Sequence, residues 1–255
     1  MARAPVQAPL TSARRAAAAA AAGCAYLAAL LALDHDASYP QQLALGVVTC
    51  VVLLAALTRV APERRAQALG VVAFATIGEA VGSLLWGVYR YRLHNLPLFV
   101  PPAHGIVYLS GLALAAATQR HTRALVALAA TTAATWGVLG LTVLPRRDVA
   151  GAIGVPLLLL FLWRSRYRAI YAGVFLVVAS LELYGTAIGT WRWSRHLPGL
   201  GMPDGNPPSG VASGYVWFDV MALLTAPVIL KVIRRRRASR TPREGEPPLP
   251  STTPA

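Results

Sequence analysis

The chain has 255 residues, of which 56% are hydrophobic and only 13% carry charge. Soluble domains carry about 25% charged residues, so this composition argues against an ordinary soluble protein. The net charge of +14 does not indicate a nucleic-acid partner, because the basic residues are placed along the chain as membrane topology requires.

Apolar runs of the length needed to cross a bilayer occur eight times along the chain. A transmembrane helix takes roughly 20 residues, and the fourth and sixth runs are shorter than the others. We therefore predict an all-α, polytopic integral membrane protein with about eight transmembrane helices. The predicted helices cover residues 16–33, 43–60, 68–88, 105–119, 124–144, 149–164, 169–191 and 210–232.

The first run follows Arg14 and Arg15 and is rich in alanine, which is also the pattern of a cleavable signal peptide. Cleavage would leave seven spans and place the new N-terminus outside. We favour an uncleaved first helix, because the apolar residues continue from Tyr26 to Leu33.

Basic residues are distributed unequally between the two ends of the predicted helices. With the N-terminus inside, 18 of the 24 basic residues fall on the inner side. This bias predicts a multi-pass protein of the cell membrane with both termini in the cytoplasm. The Arg234–Arg237 run could also bind anionic lipid headgroups. The six basic residues on the outer side are Arg90, Arg92, Arg146, Arg147, Arg192 and Arg195.

One pattern of residues occurs twice. In each copy, an acid is followed three residues later by a glycine. A second glycine and an aromatic-Arg-aromatic triplet come after it. The copies are 102 or 103 residues apart, which is four predicted spans, so both face the same way across the membrane. We therefore predict two parallel four-helix repeats, residues 16–119 and 120–232, between a cytoplasmic segment 1–15 and a disordered basic tail 233–255. The copies are Glu79–Gly82 with Gly87–Tyr91, and Glu182–Gly185 with Gly189–Trp193.

Only three of the ten acidic residues fall inside predicted spans: Glu79, Glu182 and Asp219. At a rise of 1.5 Å per residue all three lie near the bilayer midplane. An acid there costs about 2.5–3.5 kcal/mol on the insertion scale, so such residues face the bundle interior and are functional candidates. We predict that they are catalytic, and the alternative is that they only form hydrogen bonds between helices.

The aromatic-Arg-aromatic triplets reach the outer interface, followed by the Pro- and Gly-rich loops 93–105 and 194–210. They predict either an aromatic belt with snorkelling arginines or the rim of a cavity capped by these loops. No two histidines have the spacing of a ligand pair, so we expect neither a metal nor a cofactor. The predicted substrate-binding residues are Trp86, Tyr89, Arg90, Tyr91, Tyr184, Trp191, Arg192, Trp193 and Asn206.

These motifs resemble the membrane-bound carotenoid biosynthesis proteins that include bisanhydrobacterioruberin hydratase. That family has an intramembrane acid before Gly-x-Tyr-x-Tyr and a Pro segment in one half, and Gly-x-Trp-x-Trp before Pro, Asn and Gly in the other. The chain departs from the family where a tryptophan should follow each Pro segment, and His104 or Gly105 stands near the first such place. The matching residues are Glu79, Gly87, Tyr89, Tyr91, Pro101, Gly189, Trp191, Trp193, Pro203, Asn206 and Gly210.

The resemblance implies an enzyme that hydrates or cyclises a double bond of an isoprenoid, a carotenoid or another lipid. Protonating carbon needs a carboxylic acid that is neutral at pH 7, and burial in hydrocarbon favours that form. Ring faces such as Trp86 and Tyr184 would stabilise a cation. A proton- or cation-coupled transporter and a non-catalytic membrane assembly protein are the alternatives. Helix 6 is interrupted by Pro156 but helix 2 has no such break near Leu53, which favours an enzyme.

Overall fold

The computed structural model describes residues 13–238. Most of the predicted segments 1–15 and 233–255 therefore lies outside the described residues. The described chain forms eight α-helices and two three-residue strands, β1 (Tyr89–Tyr91) and β2 (Trp191–Trp193). The helices are α1 (Ala13–His35), α2 (Tyr39–Thr58), α3 (Pro62–Glu79), α4 (Val100–Ala117), α5 (Thr122–Thr142), α6 (Val149–Arg164), α7 (Arg168–Ile188) and α8 (Val211–Ala238).

Seven of these helices are long and apolar enough to cross a membrane, which confirms the prediction of an all-α, multi-pass protein. The exception is α6, which has 16 residues and would span about 24 Å at 1.5 Å per residue, less than the roughly 30 Å of a hydrocarbon core. It lies where the sixth span was predicted.

Four helices form the centre of the bundle. α3 and α7 each pack against both α4 and α8, while α1 and α2 pack on α4, and α5 and α6 pack on α7. α4 and α7 are the most buried, with 61% of each apolar window inside the protein. Helices buried on most sides need apolar residues around their whole circumference, as both have.

The loop 194–210 packs against the N-terminal end of α6. Asp148 caps this helix by accepting hydrogen bonds from the Gly151 amide at 2.9 Å and from the Gly205 and Ser209 amides of the loop at 3.1 and 2.6 Å. The amides of the first turn of α6 donate to the Pro203 carbonyl. The loop therefore folds over the end of α6, in agreement with the prediction that it caps the bundle.

A second acid is buried in the same loop. Asp204 is 2% exposed, and burial together with the neighbouring Asp148 raises the pKa of Asp204 to about 7, although Arg146 acts in the opposite direction. Arg146 itself donates to the carbonyls of Trp193 and Ser194, so it ties the loop to β2.

The prediction that residues 93–105 form a loop is wrong at the C-terminal end of that range. α4 begins at Val100, so Pro101, Pro102, His104 and Gly105 belong to a helix. Proline is favoured in the first turn, where its missing N–H group is not needed, and the pair therefore starts the helix instead of preventing it. The helix begins five residues before the predicted span.

Candidate functional site

A cavity of about 410 Å³ lies between α1, α3, α4, α7 and α8, and the two strands form its outer wall. Its lining is mostly apolar, with a small number of polar groups, which is the usual composition of a ligand site. Gly214 of α8 also lines the cavity and is exposed, and a side chain built at this position would meet nothing within 4 Å. The cavity therefore opens beside the outer end of α8.

Glu79 lies at the end of α3 and is 8% exposed. Its Oε2 accepts hydrogen bonds from the Tyr89 and Tyr91 hydroxyls at 2.6 and 2.7 Å. Burial and the neighbouring Glu79 raise the pKa of both hydroxyls well above the usual value, so both keep their protons and act as donors. Glu79 Oε1 lies 3.3 Å from Nε2 of His104. Both carboxyl oxygens thus have partners.

Glu182 occupies the corresponding place on α7 and is 6% exposed. Its Oε2 accepts hydrogen bonds from the indole N–H groups of Trp191 and Trp193 at 2.9 and 3.3 Å. Within residues 13–238, no group forms a hydrogen bond with Oε1 of Glu182. This oxygen is not fully buried either, so it keeps some accessible surface. One oxygen of this acid is therefore available to the cavity.

Each strand follows its acid because the helix before it ends at a glycine. Gly87 and Gly189 have φ values of 75° and 79°, in the left-handed region that favours glycine. The chain reverses there, and β1 and β2 run back over the ends of α3 and α7. They pair antiparallel with Arg90 opposite Arg192, and the Tyr89 and Trp193 rings are in contact at a tilt of 42°, with their centroids 4.5 Å apart.

The glycine three residues after each acid makes room for the first ring of the strand. A Cβ at Gly82 would lie 3.0 Å from the Tyr89 ring, and one at Gly185 would lie 2.6 Å from Trp191 Cζ2. Both glycines therefore accept the aromatic ring that binds the acid of the same helix.

A π-helical segment, Ala80–Trp86, continues α3 directly after Glu79. Such segments are rare in proteins and occur frequently at functional sites. The α7 sequence remains α-helical to Ile188, so the two copies of the motif differ in backbone geometry at this point.

His104 is the main residue of the site that the sequence did not identify. It is 5% exposed on α4, and its Nδ1 lies 2.8 Å from the Val100 carbonyl, which can only accept. Nδ1 therefore carries a proton, and Nε2 is the atom that can gain or lose one. Nε2 lies within 3.3 Å of Glu79 Oε1 and 3.1 Å of the Tyr215 hydroxyl. The available signal was the position of His104 beside the first Pro segment.

The cavity includes six of the predicted site residues and not the other six. Asp219 is 1% exposed and its Oδ2 has no partner among the described residues, but it does not line the cavity, and its part in catalysis stays a prediction.

Trp86 is 46% exposed and donates to the Pro198 carbonyl. Asn206 accepts from the Trp193 amide at 2.9 Å, so it holds β2 in place. Tyr184, Arg90 and Arg192 are exposed at the surface. The six that line it are Glu79, Tyr89, Tyr91, Glu182, Trp191 and Trp193.

The arrangement can bind an apolar molecule against eight aromatic side chains and present two carboxyl groups and an imidazole to it. Carboxyl groups in unlike surroundings are suited to opposite roles in proton transfer. Within residues 13–238 no group of three or more His, Cys, Asp or Glu side chains could hold a metal ion. Comparisons with protein-family models, with curated proteins and with solved structures give no match to this chain.

Proposed function

We propose that the chain is a membrane-embedded enzyme that protonates a carbon–carbon double bond of an isoprenoid, such as a carotenoid, or of another lipid. The product is hydrated or cyclised. The observation that carries the proposal is that Glu79 and Glu182 line one apolar cavity with different hydrogen-bond partners. The proposal also agrees with the resemblance of the two motifs to carotenoid biosynthesis proteins.

Glu182 is the proton donor in this proposal. Its Oε2 is held by Trp191 and Trp193, which leaves Oε1 to carry the acidic proton. Neutral Glu182 needs no counter-ion, and no described basic side chain forms an ion pair with it. The indole faces beside it would stabilise the carbocation that forms when the proton reaches carbon.

Glu79 and His104 form the base. Two tyrosine hydroxyls donate to Oε2 of Glu79, so this carboxylate is fully hydrogen-bonded without a proton of its own. A proton released in the second step passes to Nε2 of His104, 3.3 Å from Oε1. Proton transfer by positioned groups of this kind contributes typically 10²–10⁴-fold to a rate.

The steps balance as follows. The π electron pair of the C=C bond forms a C–H bond with the Glu182 proton. This step leaves a carbocation and the Glu182 carboxylate. In hydration, water forms a C–O bond with the cation and gives one proton to the base. In cyclisation, a second double bond attacks the cation and the base removes a proton from carbon. Return of that proton from the base to Glu182 restores the site.

The test uses cells that make an acyclic carotenoid and express the full chain or a variant. Glu182→Gln keeps the shape of the side chain but removes the transferable proton, and Glu79→Gln removes the carboxylate of the base, so we expect both to abolish the hydrated or cyclised product. Membranes isolated from these cells and incubated in heavy water with unlabelled acyclic carotenoid should place one deuterium on carbon in the product of the unchanged chain. The matched control is Glu63→Gln, the same chemical change on an exposed residue of α3.

The outcomes separate the three functions. If no lipid differs between cells with and without the chain, the enzyme is excluded. If the variants alter proton-coupled uptake and no lipid changes, the chain is a transporter. If both variants insert and behave like the control in every assay, the acids act only as interhelical hydrogen bonds, which average about 0.6 kcal/mol in membranes and which glutamine can still form.

We further propose that the chain consists of two parallel repeats, α1–α4 and α5–α8, with both termini in the cytoplasm of a cell-membrane protein. The matched glycines, the antiparallel pairing about Arg90 and Arg192 and the equivalent packing of α3 and α7 support this proposal. Reporter fusions test it, because parallel repeats require equivalent positions to face the same side. Fusions after Arg123 should report cytoplasm, and those after His94 and Asp204 the exterior. Opposite signals from His94 and Asp204 would exclude parallel repeats.

A further inference from the structure

A second cavity, of about 460 Å³, lies between α1, α2 and α4, away from the acids. Arg15, Arg59 and Arg64 line it together with apolar side chains. Because α1 begins, α2 ends and α3 begins at these arginines, all three lie at the same end of the bundle. We call this cavity the basic cleft.

The arginines of the basic cleft are available to an anion. No Asp or Glu is among the described residues that line the cleft. Arg64 donates to the Gln67 side chain at 3.2 Å and interacts with the Tyr108 hydroxyl, and its guanidinium has five N–H groups in all. Guanidinium groups converging on one point are suited to a phosphate.

The rest of the cleft is suited to a hydrocarbon chain. Between Arg15 and Tyr26 its α1 wall is formed by small residues, among them Ala19 and Ala22, and its α4 wall contains Ile106 and Leu109. Alanines along a helix leave a groove that leucines would fill. An inorganic anion would gain nothing from this apolar groove, whereas an acyl chain attached to a phosphate would fill it.

The basic cleft is also open to the bilayer. Ala19, Ala22 and Ala55 all line it and are exposed on the surface of the bundle, where lipid surrounds a membrane protein. The arginines lie at the helix ends, at the depth of lipid headgroups, and the groove runs from there towards the middle of α1. Basic pockets between transmembrane helices at this depth are known to bind anionic headgroups.

We propose that the basic cleft binds one anionic phospholipid, with its phosphate among Arg15, Arg59 and Arg64 and an acyl chain in the alanine-lined groove. Lipid held here would fasten α1 to α2 and α4 independently of any reaction in the central cavity. Charge complementarity and the apolar groove together favour this occupant over a free anion.

The experiment measures lipid binding by the purified full chain in detergent, using native mass spectrometry with phosphatidylglycerol and with phosphatidylcholine of the same acyl chains. We expect the anionic lipid to bind more tightly. Replacing Arg15, Arg59 and Arg64 by Gln should weaken its binding on the order of 100-fold. The control removes the same charge from the same end of the bundle, outside the cleft, by changing Arg120, Arg123 and Arg168 to Gln, and should change binding by less than about threefold.

A second pair of variants tests the groove with every arginine in place. Ala22→Leu fills the cleft and should weaken binding of the anionic lipid, whereas Ala21→Leu, one residue away on the exposed surface, should not. Equal binding of the two lipids, or equal loss in both arginine triples, would overturn the proposal. So would displacement of the lipid by glycerol 3-phosphate at the same concentration, which would assign the site to a free phosphate. A dimer that Ala22→Leu dissociates would assign the cleft to a second copy of the chain.

Discussion

Gly185 offers a direct test of how the strands hold the acids. A Cβ at this position would lie 2.5 Å from Cζ3 of Trp191 and 2.6 Å from Cζ2. Ordinary contacts begin near 3.4 Å, so in Gly185→Ala the indole must move by about 1 Å. The ring is also the donor to Glu182 at 2.9 Å, and a shift of that size takes the pair beyond hydrogen-bond range.

The expected loss follows from these contacts. Overpacking a well-packed site costs about 1–3 kcal/mol, and the lost hydrogen bond from Trp191 to Glu182 adds about 0.6 kcal/mol, the average for side-chain hydrogen bonds between membrane helices. Alanine has a higher helix propensity than glycine, which stabilises α7 by up to about 1 kcal/mol. We expect Gly185→Ala to lower the free energy of unfolding by about 1–2 kcal/mol and to reduce the yield of any Glu182-dependent product.

The assay is reversible unfolding of the purified chain in mixed micelles, with Gly214→Ala as the matched control. Gly214 has the same helix-propensity gain and no neighbour within 4 Å, so its variant should be at least as stable as the unchanged chain. Trp191→Phe removes the part of the indole that would clash, so the double variant should lose less than the sum of the two single losses. Equal stability of Gly185→Ala and Gly214→Ala, or strict additivity with Trp191→Phe, would refute this account of the site.

Three further predictions concern other parts of the described chain. Because the pKa of folded Asp204 is about 7 against about 3.9 in an unfolded chain, the folded state binds more protons between these values. The free energy of unfolding should therefore fall as pH rises from about 4 to about 7, and Asp204→Asn should flatten that dependence. Asp219→Asn should keep most of the activity, since Asp219 does not line the cavity, and a complete loss would restore it to the catalytic group. Changing Tyr89 and Tyr91 together to Phe should lower the free energy of unfolding by at least about 1.5 kcal/mol, whereas Tyr39→Phe, on an exposed residue, should change it little.

Apolar periodicity and charge placement were sufficient to predict the helices. Each of the eight predicted spans overlaps a helix, and the burial of Glu79, Glu182 and Asp219 was predicted from the cost of an acid in hydrocarbon. The ends of helices were predicted less well. The Pro101-Pro102 pair was assigned to a loop, although proline is equally compatible with the first turn of a helix. That choice placed His104 outside the site.

The sheet and the π-helical segment could not be predicted from local pattern. A three-residue strand has too few residues to show alternation, and β1 pairs with β2 only because the two motifs meet over the cavity. The segment Ala80–Trp86 has an apolar sequence that an α-helix could equally adopt. The aromatic-Arg-aromatic triplets were recognised as important, but nothing in the spacing indicates that their rings fold back on Glu79 and Glu182.

The two acids occupy corresponding places on α3 and α7 but have unlike donors, and this difference accounts for the separate roles that we propose. A tyrosine hydroxyl can both donate and accept, so Tyr89 and Tyr91 can relay a proton to or from Glu79. An indole N–H only donates, so Trp191 and Trp193 orient Glu182 and relay nothing. Glu79 can therefore exchange protons with a network that includes His104, whereas the proton of Glu182 can leave only through Oε1, towards the cavity. Under the proposed function, tryptophan in place of tyrosine at matching positions separates a carboxylate directed at a bound substrate from one that exchanges protons with its neighbours.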